Sequence, residues 1–590
     1  MTGRLGEVGN ALSPGRRRAD IAVLGSRELD VLVVGGGITG AGIALDAASR
    51  GLSVGLVEAQ DWAAGTSSRS SKLIHGGLRY LQMLDFHLVR QGLKERALIM
   101  QRLAPHLVRP VPIMWPLRKP VVERAYVGAG IALYDLLGLA VGSGRGLPLH
   151  RHLSKRAALA LAPALRTDAL AGAVLYYDAQ VDDARYVVEV VRTAVSFGAV
   201  AVNRTKAVGF LLEGERVVGA VLRDTETGEE LEARARVSVI ATGAWTEETE
   251  GLAGRERAVR VRPSKGAHLM VAREKLALSS GLIVRTDRSV LFVLPWGEHW
   301  LIGTTDTDWE YGKARPLATS SDVDYLIAQV NCVLAKPLTR DDVEATFAGL
   351  RPLVAGSGVV RGPGEGQAKG GSAQTPKLSR DHAIGRPVPG LVVVSGGKYT
   401  TYRVMAAEVM DAVVADGPFR PTRSGTGDIP LVGATGYQNN WARRHALASE
   451  HGIGLERAEH LLQRYGGLFG EVLSAITTAP HLAGPVEGAS GYMQAELVYA
   501  VTHEGARHLE DVLMRRTRIA METSDGGVGS APAAAQLLAP LLGWDDATLV
   551  AEVEDYRSQV ALVYRAATGA PDDAAAARLA DDAPTLLPLP

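Results

Sequence analysis

Only one cysteine, Cys332, occurs in the 590 residues. No disulfide can form within the chain and no cysteine cluster can hold a metal, so no metal site is expected; a reducing compartment fits. The surrounding NCVLA follows a helical apolar pattern, and Cys332 is expected as a buried core thiol. Net charge is missing as well. Lys+Arg and Asp+Glu number 64 each, so no overall field draws the chain to nucleic acid. Apolar runs of membrane-spanning length are also lacking. The nearest, residues 125–143 (AYVGAGIALYDLLGLAVGS), is broken by Asp135 and rich in glycine. It reads as a core helix, or alternatively as a surface that docks on a bilayer without crossing it. Arg16, Arg17 and Arg18 precede IAVLG, which is too short for the apolar region of a secretion signal. Residues 1–28 are therefore expected to form a disordered, mildly basic tail. A chain of this length should hold two or more domains.

What is present is concentrated first in residues 29–58, LDVLVVGGGITGAGIALDAASRGLSVGLVE. A short apolar strand leads into Gly35, Gly37 and Gly40, spaced G-x-G-x-x-G. A helix of small and aliphatic residues follows, then a second apolar strand ending in Glu58. Gly35 permits the tight turn, Gly37 lets a pyrophosphate approach the backbone, and Gly40 lets the helix pack closely. The helix N-terminus, at Ile38 and Thr39, offers free N–H groups and a positive dipole end to phosphates. Glu58 sits where a carboxylate accepts from an adenosine ribose and disfavours a 2′-phosphate, so NADP is not expected.

Residues 65–77 are polar, small and glycine-rich and cannot bury themselves as a core element. Beside a nucleotide fold such a segment suits wrapping a cofactor. Its candidates are Thr66, Ser67, Ser70, Ser71, Lys72, Leu73, His75, Gly76 and Gly77. About 180 residues after the fingerprint comes VSVIATGAW, a strand expected to return to the same sheet and deliver Thr242, Gly243 and Trp245. The intervening residues 201–231, which include the cofactor candidate Ala207, read as strands with charged turns. A nucleotide fold interrupted in this way suits FAD better than NAD, whose βαβ units usually run consecutively. Near residue 391, LVVVSGGKYTTYR repeats the strand-then-glycine logic: Gly396 and Gly397 approach the flavin, and a helix starting near Thr400 points its N-terminus at it, with Lys398 and Tyr399 between.

Residues 291–305 form an expected hairpin, and VRVRPSKGAHLMV places His268 on a strand. The glycine-rich run at 355–376 is read as a disordered loop rather than a lid. From about Pro418 the texture becomes helical and amphipathic with no cofactor motif. There Arg515, Arg516 and Arg518 read as a solvated face, with steering of an anion as the alternative. Residues from Ala567 onward are expected to fray.

The run SSRSSKLIHGGLRYL after VVGGGITGAGIALDAASRG resembles the aerobic, respiratory FAD-dependent glycerol-3-phosphate dehydrogenase family. AWTEE, KGAHL, PWGEHWLIGTTDTD, FAGLRPL, LSRDH and GGKYTTYR follow in order, and EGARHLEDVLMRRTRIAME resembles that family's helical cap. The resemblance covers roughly residues 30–564. It implies an α/β fold: a Rossmann-like FAD-binding domain of the glutathione-reductase/D-amino-acid-oxidase type with an inserted β-sheet (α+β) substrate domain over residues 29–417. An all-helical domain follows over 418–566. The glycine-rich loop is longer than the family pattern. The resemblance also implies that Tyr177, Asp178, Asp182 and Asp183 line the approach to the flavin; an acidic helix start is the competing reading.

The implied reaction is oxidation of sn-glycerol 3-phosphate to dihydroxyacetone phosphate by hydride transfer to flavin N5. It needs a clamp for a dianion and a base for the C2 hydroxyl. Arginine forks match phosphate oxygens and lysine acts as a point charge. The resemblance assigns Arg79, Tyr80, Arg351, Arg380, Lys398 and Thr400 to the substrate. Histidine is the first candidate base: His268 or His75, with His382 better suited to orienting Arg380. The resemblance further implies a membrane quinone as electron acceptor and docking on the cytoplasmic face of the cell membrane, and a homodimer is left open. Two other readings stand beside this one. One is an oxidase releasing hydrogen peroxide; the other is a non-catalytic FAD-binding regulator.

Overall fold

The computed structural model describes residues 9–81, 85–140, 142, 147–168, 170–255, 257–286, 290–354, 382–420 and 422–582; of Arg79, Tyr80 and Asp416 it describes only the backbone. The fingerprint strand Leu29–Val34 lies at the centre of a sheet because its side chains are buried on both faces, as parallel strands require. Its parallel neighbours are Val54–Val57 on one side and Glu230–Ile240 on the other. Val200–Val202 and Leu391–Gly396 extend the parallel set, and His382–Val388 closes one edge antiparallel. The return strand expected at 237–241 is thus paired directly to the fingerprint strand. The hairpin Thr205–Glu213/Arg216–Asp224 continues from the early half of Glu230–Ile240. Helix Ile38–Ser49 packs between Asp183–Ser196 and Tyr402–Asp416.

A second, mostly antiparallel sheet carries the other half of the site. Strand Val261–Ala272 is flanked by Val343–Val354 and by His299–Gly303, the latter joined to Val290–Trp296 in the expected hairpin. The sheet runs on through Gly281–Arg285, Val108–Leu117 and Gly172–Val181 to the short strand Leu73–Ile74. The cofactor-wrapping segment therefore ends by joining the substrate sheet. From residue 422 to 582 the described chain is helical apart from one small hairpin at 485–493.

Several expectations are corrected. Within the supposed tail of residues 1–28, Pro14–Ser26 is a helix. Ser13 caps it by accepting from the Arg16 N–H at 3.1 Å, and Pro14 occupies the first turn. Leu24 is buried, and Arg17 pairs with Asp224 at 3.0 Å, so local capping and long-range pairing outweigh the basic composition. The supposed fray after Ala567 is also ordered up to residue 582. A helix at Asp573–Asp581, capped by Asp572, packs Ala576 against Leu317 and Ala566, and Asp573 meets the buried Lys265 ammonium. Cys332 is exposed, because it caps the C-terminus of helix Ser320–Asn331 rather than facing the core.

The largest correction concerns Arg515, Arg516 and Arg518. They are 3, 1 and 2% exposed and face the FAD-binding sheet, not solvent. Arg515 and Arg516 both donate to Asp61, and Arg518 donates to Asp182 and Asp183. Arg185 and Arg204 reach back to Glu504 and Asp511. Helix Val122–Ala140 is not simply a core helix either. Val127, Ile131 and Tyr134 are buried, while Tyr126, Leu136 and Leu139 are 60, 62 and 50% exposed. No described helix is long and apolar enough to cross a membrane.

Candidate active site

One cavity of ≈ 1140 Å³ runs between the two sheets. At its nucleotide end Gly35 has φ +117°, and a Cβ there would stand 2.6 Å from the Ala241 carbonyl oxygen of the return strand. A Cβ at Gly40 would stand 1.8 Å from the Gly35 carbonyl oxygen, so the third glycine lets the helix close on the turn. Gly37, Ile38 and Thr39 present the helix N-terminus to the cavity, and Ser67 Oγ accepts from the Ile38 N–H at 3.0 Å. Glu58 lines the same end. Its carboxylate accepts from the N–H groups of Gly36 (2.6 Å) and Gln60 (2.8 Å), and burial raises its pKa above the ordinary glutamate range.

Of the other cofactor candidates, Thr66, Ser67, Ser70, Ser71, Leu73, His75, Gly77, Ala207, Thr242, Gly243, Trp245, Gly397, Lys398, Tyr399 and Thr400 are also in the wall. Thr242 Oγ1 is buried there without a hydrogen-bond partner among the described residues. Gly40, Lys72 and Gly76 are behind the wall instead. Lys72 is fully buried, with Nζ 2.7 Å from Asp183, because that pairing keeps its charge compensated. The Gly76 N–H donates to Tyr134 Oη at 2.8 Å. The glycine turns, helix N-terminus, ribose-side carboxylate and orphaned Thr242 hydroxyl fit a dinucleotide of FAD size.

At the far end His268 and Arg351 face the cavity. On Val261–Ala272, His268 is in register with Gly303 on one side and Phe347 on the other. Its ring stacks on Phe347 at 4.7 Å and leans over Gly303, where a Cβ would come within 2.2 Å of the ring. Nε2 lies 2.9 Å from Ser71 Oγ, and Nδ1 has no partner among the described residues. Burial, then Arg351, then Lys72 hold the His268 pKa well below 6.5, so the imidazole is neutral at pH 7. Arg351, paired in register with Ser264, reaches across the glycine at 266. A Cβ there would meet its guanidinium at 2.5 Å. Arg351 donates to Thr304 Oγ1 and the Thr305 carbonyl at 3.1 Å each and lies 3.4 Å from Asp306.

His75 lines the cavity, with its backbone N–H donating to Thr400 Oγ1 at 3.2 Å. His382 is turned away and pairs with Glu408 at 2.8 Å. Arg380 and the 355–376 loop lie outside the described residues, as do the side chains of Arg79 and Tyr80. Asp178 lines the cavity and pairs with Arg96 at 2.5 Å, whereas Tyr177 is outside the wall. For Asp182 and Asp183 the acidic helix start is what the structure shows: Asp182 caps helix Asp183–Ser196, and both serve buried ion pairs rather than the cavity. Sequence reasoning passed over Thr304, which holds Arg351, and Phe347, which holds His268, and it read Asp306 only as part of a turn near the cofactor. GTTDTD and TFAGLRPL carried those residues, but only the register of adjacent strands shows what they touch. It also passed over the apolar end of the cavity, lined by Trp115, Tyr126, Ile131, Leu133 and Phe292.

Residues 30–412 match the FAD dependent oxidoreductase family, and residues 424–549 match the C-terminal domain of alpha-glycerophosphate oxidase. The chain is 47% identical over 576 residues to a glycerol-3-phosphate dehydrogenase of Mycobacterium leprae, covering 98% of this chain and 95% of that one. It is 34% identical to the mitochondrial glycerol-3-phosphate dehydrogenase of Bos taurus, covering 94% of this chain and 76% of the relative. The crystal structure of glycerol-3-phosphate dehydrogenase from Bacillus halodurans, complexed with FAD, superposes with a TM-score of 0.74 at 28% identity. That match covers 95% of this chain and 99% of the other. The fold and site therefore define an FAD-dependent oxidoreductase, an enzyme whose cofactor is FAD. Within that class the chain belongs to the FAD-dependent glycerol-3-phosphate dehydrogenase family.

Proposed function

We propose that the chain oxidises sn-glycerol 3-phosphate to dihydroxyacetone phosphate and that its electrons go to a membrane quinone. The observation that carries the substrate reading is the pair His268 and Arg351, a neutral imidazole beside a guanidinium in the wall of the dinucleotide cavity. FAD, when bound, would supply the two-electron oxidant for C2. Arg351 binds the phosphate dianion, with Lys398 as a further wall cation and Arg79 and Arg380 as candidates from adjoining segments. Asp306 and Thr304 keep the Arg351 fork in one orientation, which lowers the ordering cost of binding. His268 takes the C2 hydroxyl proton on its neutral imidazole, whose ring is held in place by the Ser71 Oγ contact to Nε2. His75 and Thr400 shape the wall at the junction of the two sheets.

The quinone reading is supported by the apolar end of the cavity, which opens beside the exposed face of helix Val122–Ala140. That face suits contact with the membrane surface. The match of residues 424–549 to the oxidase-named domain keeps oxygen as the alternative acceptor. Replacing Arg351 tests the clamp. Arg351→Ala is expected to retain FAD while kcat/KM for sn-glycerol 3-phosphate falls by about 10²-fold, as loss of a charge-assisted pair implies. Wild-type turnover at low substrate would remove Arg351 from the clamp.

A further inference from the structure

The Ser71 contact to His268 depends on a residue outside the cavity. Asp183, fully buried, accepts from the Ser70 N–H (3.0 Å) and the Ser70 hydroxyl (2.7 Å). The Lys72 ammonium lies 2.7 and 2.9 Å from its two carboxylate oxygens. Both neighbours of Ser71 are thus tied to one carboxylate. The Asp183 carbonyl also accepts from the Tyr399 hydroxyl at 2.5 Å, and Tyr399 lines the cavity.

Lys72 has φ +60°, a left-handed conformation that a side chain disfavours. Its Nζ is held by Asp183 and by the Ser68 carbonyl at 2.6 Å, and these bonds secure the turn. The turn carries the chain from Ser71 into the short strand Leu73–Ile74. Lys72 Nζ also lies 5.1 Å over the Phe347 ring, whose stacking partner is His268. Asp183 also accepts from the Ala184 N–H at 2.9 Å and from Arg518, whose Nη2 is 2.6 Å away. Arg518 belongs to the helical domain, which supplies none of the described lining residues.

We propose that Asp183 is a positioning residue. It fixes Ser70 and Lys72 so that Ser71 and Phe347 hold the His268 ring at the cavity, and Arg518 makes the helical domain part of that support. The proposal rests on the reading of His268 as the base. With the Asp183 charge removed, the buried Lys72 ammonium loses the carboxylate bonded to it, and the left-handed turn loses its anchor.

The test uses holoenzymes of Asp183→Asn, Arg518→Gln and Arg518→Lys, with flavin content, KM and the anaerobic rate of flavin reduction by sn-glycerol 3-phosphate as readouts. Asp183→Asn and Arg518→Gln are expected to slow reduction per bound flavin by about 10²-fold, with KM little changed, the pattern of a misplaced reacting group. Arg518→Lys should recover most of the rate. If Asp183→Asn does not fold, the Arg518 pair carries the test. Wild-type rates per bound flavin, or losses confined to flavin content, would overturn the proposal. A wild-type enzyme that sn-glycerol 3-phosphate does not reduce would sink the substrate reading alone. The His268 ring signals in an NMR spectrum of Arg518→Gln, which need no substrate, would still decide: displaced signals support the role of Asp183 and unchanged ones refute it.

Discussion

His268 and Arg351 owe their positions to glycines on neighbouring strands. Gly303 leaves room for the imidazole and the glycine at 266 leaves room for the guanidinium. An Ala at either place would push a functional side chain off its site. The pH behaviour follows from the same packing. Burial and two nearby cations depress the His268 pKa, so the base stays neutral below pH 6.5. The acid limb of kcat/KM is expected well below pH 6.5, and His268→Gln should remove that limb and lower kcat by about 10²–10⁴-fold. A limb that persists at the same pH in the variant would assign the base elsewhere. The stability consequence has the same sign. The unfolded chain gains a proton near pH 6.5 while native His268 does not, so stability is lost as pH falls through that value.

Among the elements, the fingerprint βαβ unit, the return strand and the 290–303 hairpin were legible because each is encoded locally, by glycine spacing or by apolar runs around a turn. The helix at 14–26 was hidden by its own composition. Its basic run suggested a tail, and it is held by tertiary contacts: Arg17 on Asp224, Asp20 on the Ala201 N–H, and the buried face around Leu24. Helix Val122–Ala140 was ambiguous for a physical reason. Its apolar residues surround it almost completely, and sequence does not reveal which face the protein covers. The structure covers Val127, Ile131 and Tyr134 and leaves Tyr126, Leu136 and Leu139 outside. If the exposed face docks on lipid, Leu136→Glu combined with Leu139→Glu should release the protein from liposomes in a flotation assay while leaving flavin content unchanged. Undiminished flotation would exclude this helix as the contact.

For the whole molecule, the C-terminal domain read as a separate helical unit, and its arginines read as surface residues. Their burial was illegible because the counter-ions that tie them to the other region lie hundreds of residues away, Asp61 for Arg515 and Arg516 and Asp183 for Arg518, although Arg515 also pairs locally with Glu510 and Asp511. The two regions are joined by compensated charge. One part of that junction titrates. His508 bridges Glu226 at 2.8 Å and Glu552 at 2.6 Å. Burial and Arg204 oppose its protonation, but the two carboxylates outweigh them and raise its pKa to about 9. Its stabilising contribution is complete below pH 6.5 and disappears as pH rises through about 9. Thermal unfolding should therefore lose stability between those values, and His508→Gln should flatten that part of the profile. An equal slope in the variant would place the titration in another group.

The proposed reaction oxidises sn-glycerol 3-phosphate in the FAD cavity, with the electrons going to quinone. An anaerobic absorbance spectrum of the flavin before and after adding sn-glycerol 3-phosphate tests it most directly, followed by a soluble quinone in one cuvette and air in another. Bleaching of the flavin band, rapid recovery with quinone and slow recovery with air are the expected results. Rapid recovery in air with peroxide would make the protein an oxidase, and bound flavin that never bleaches would contradict the substrate assignment itself.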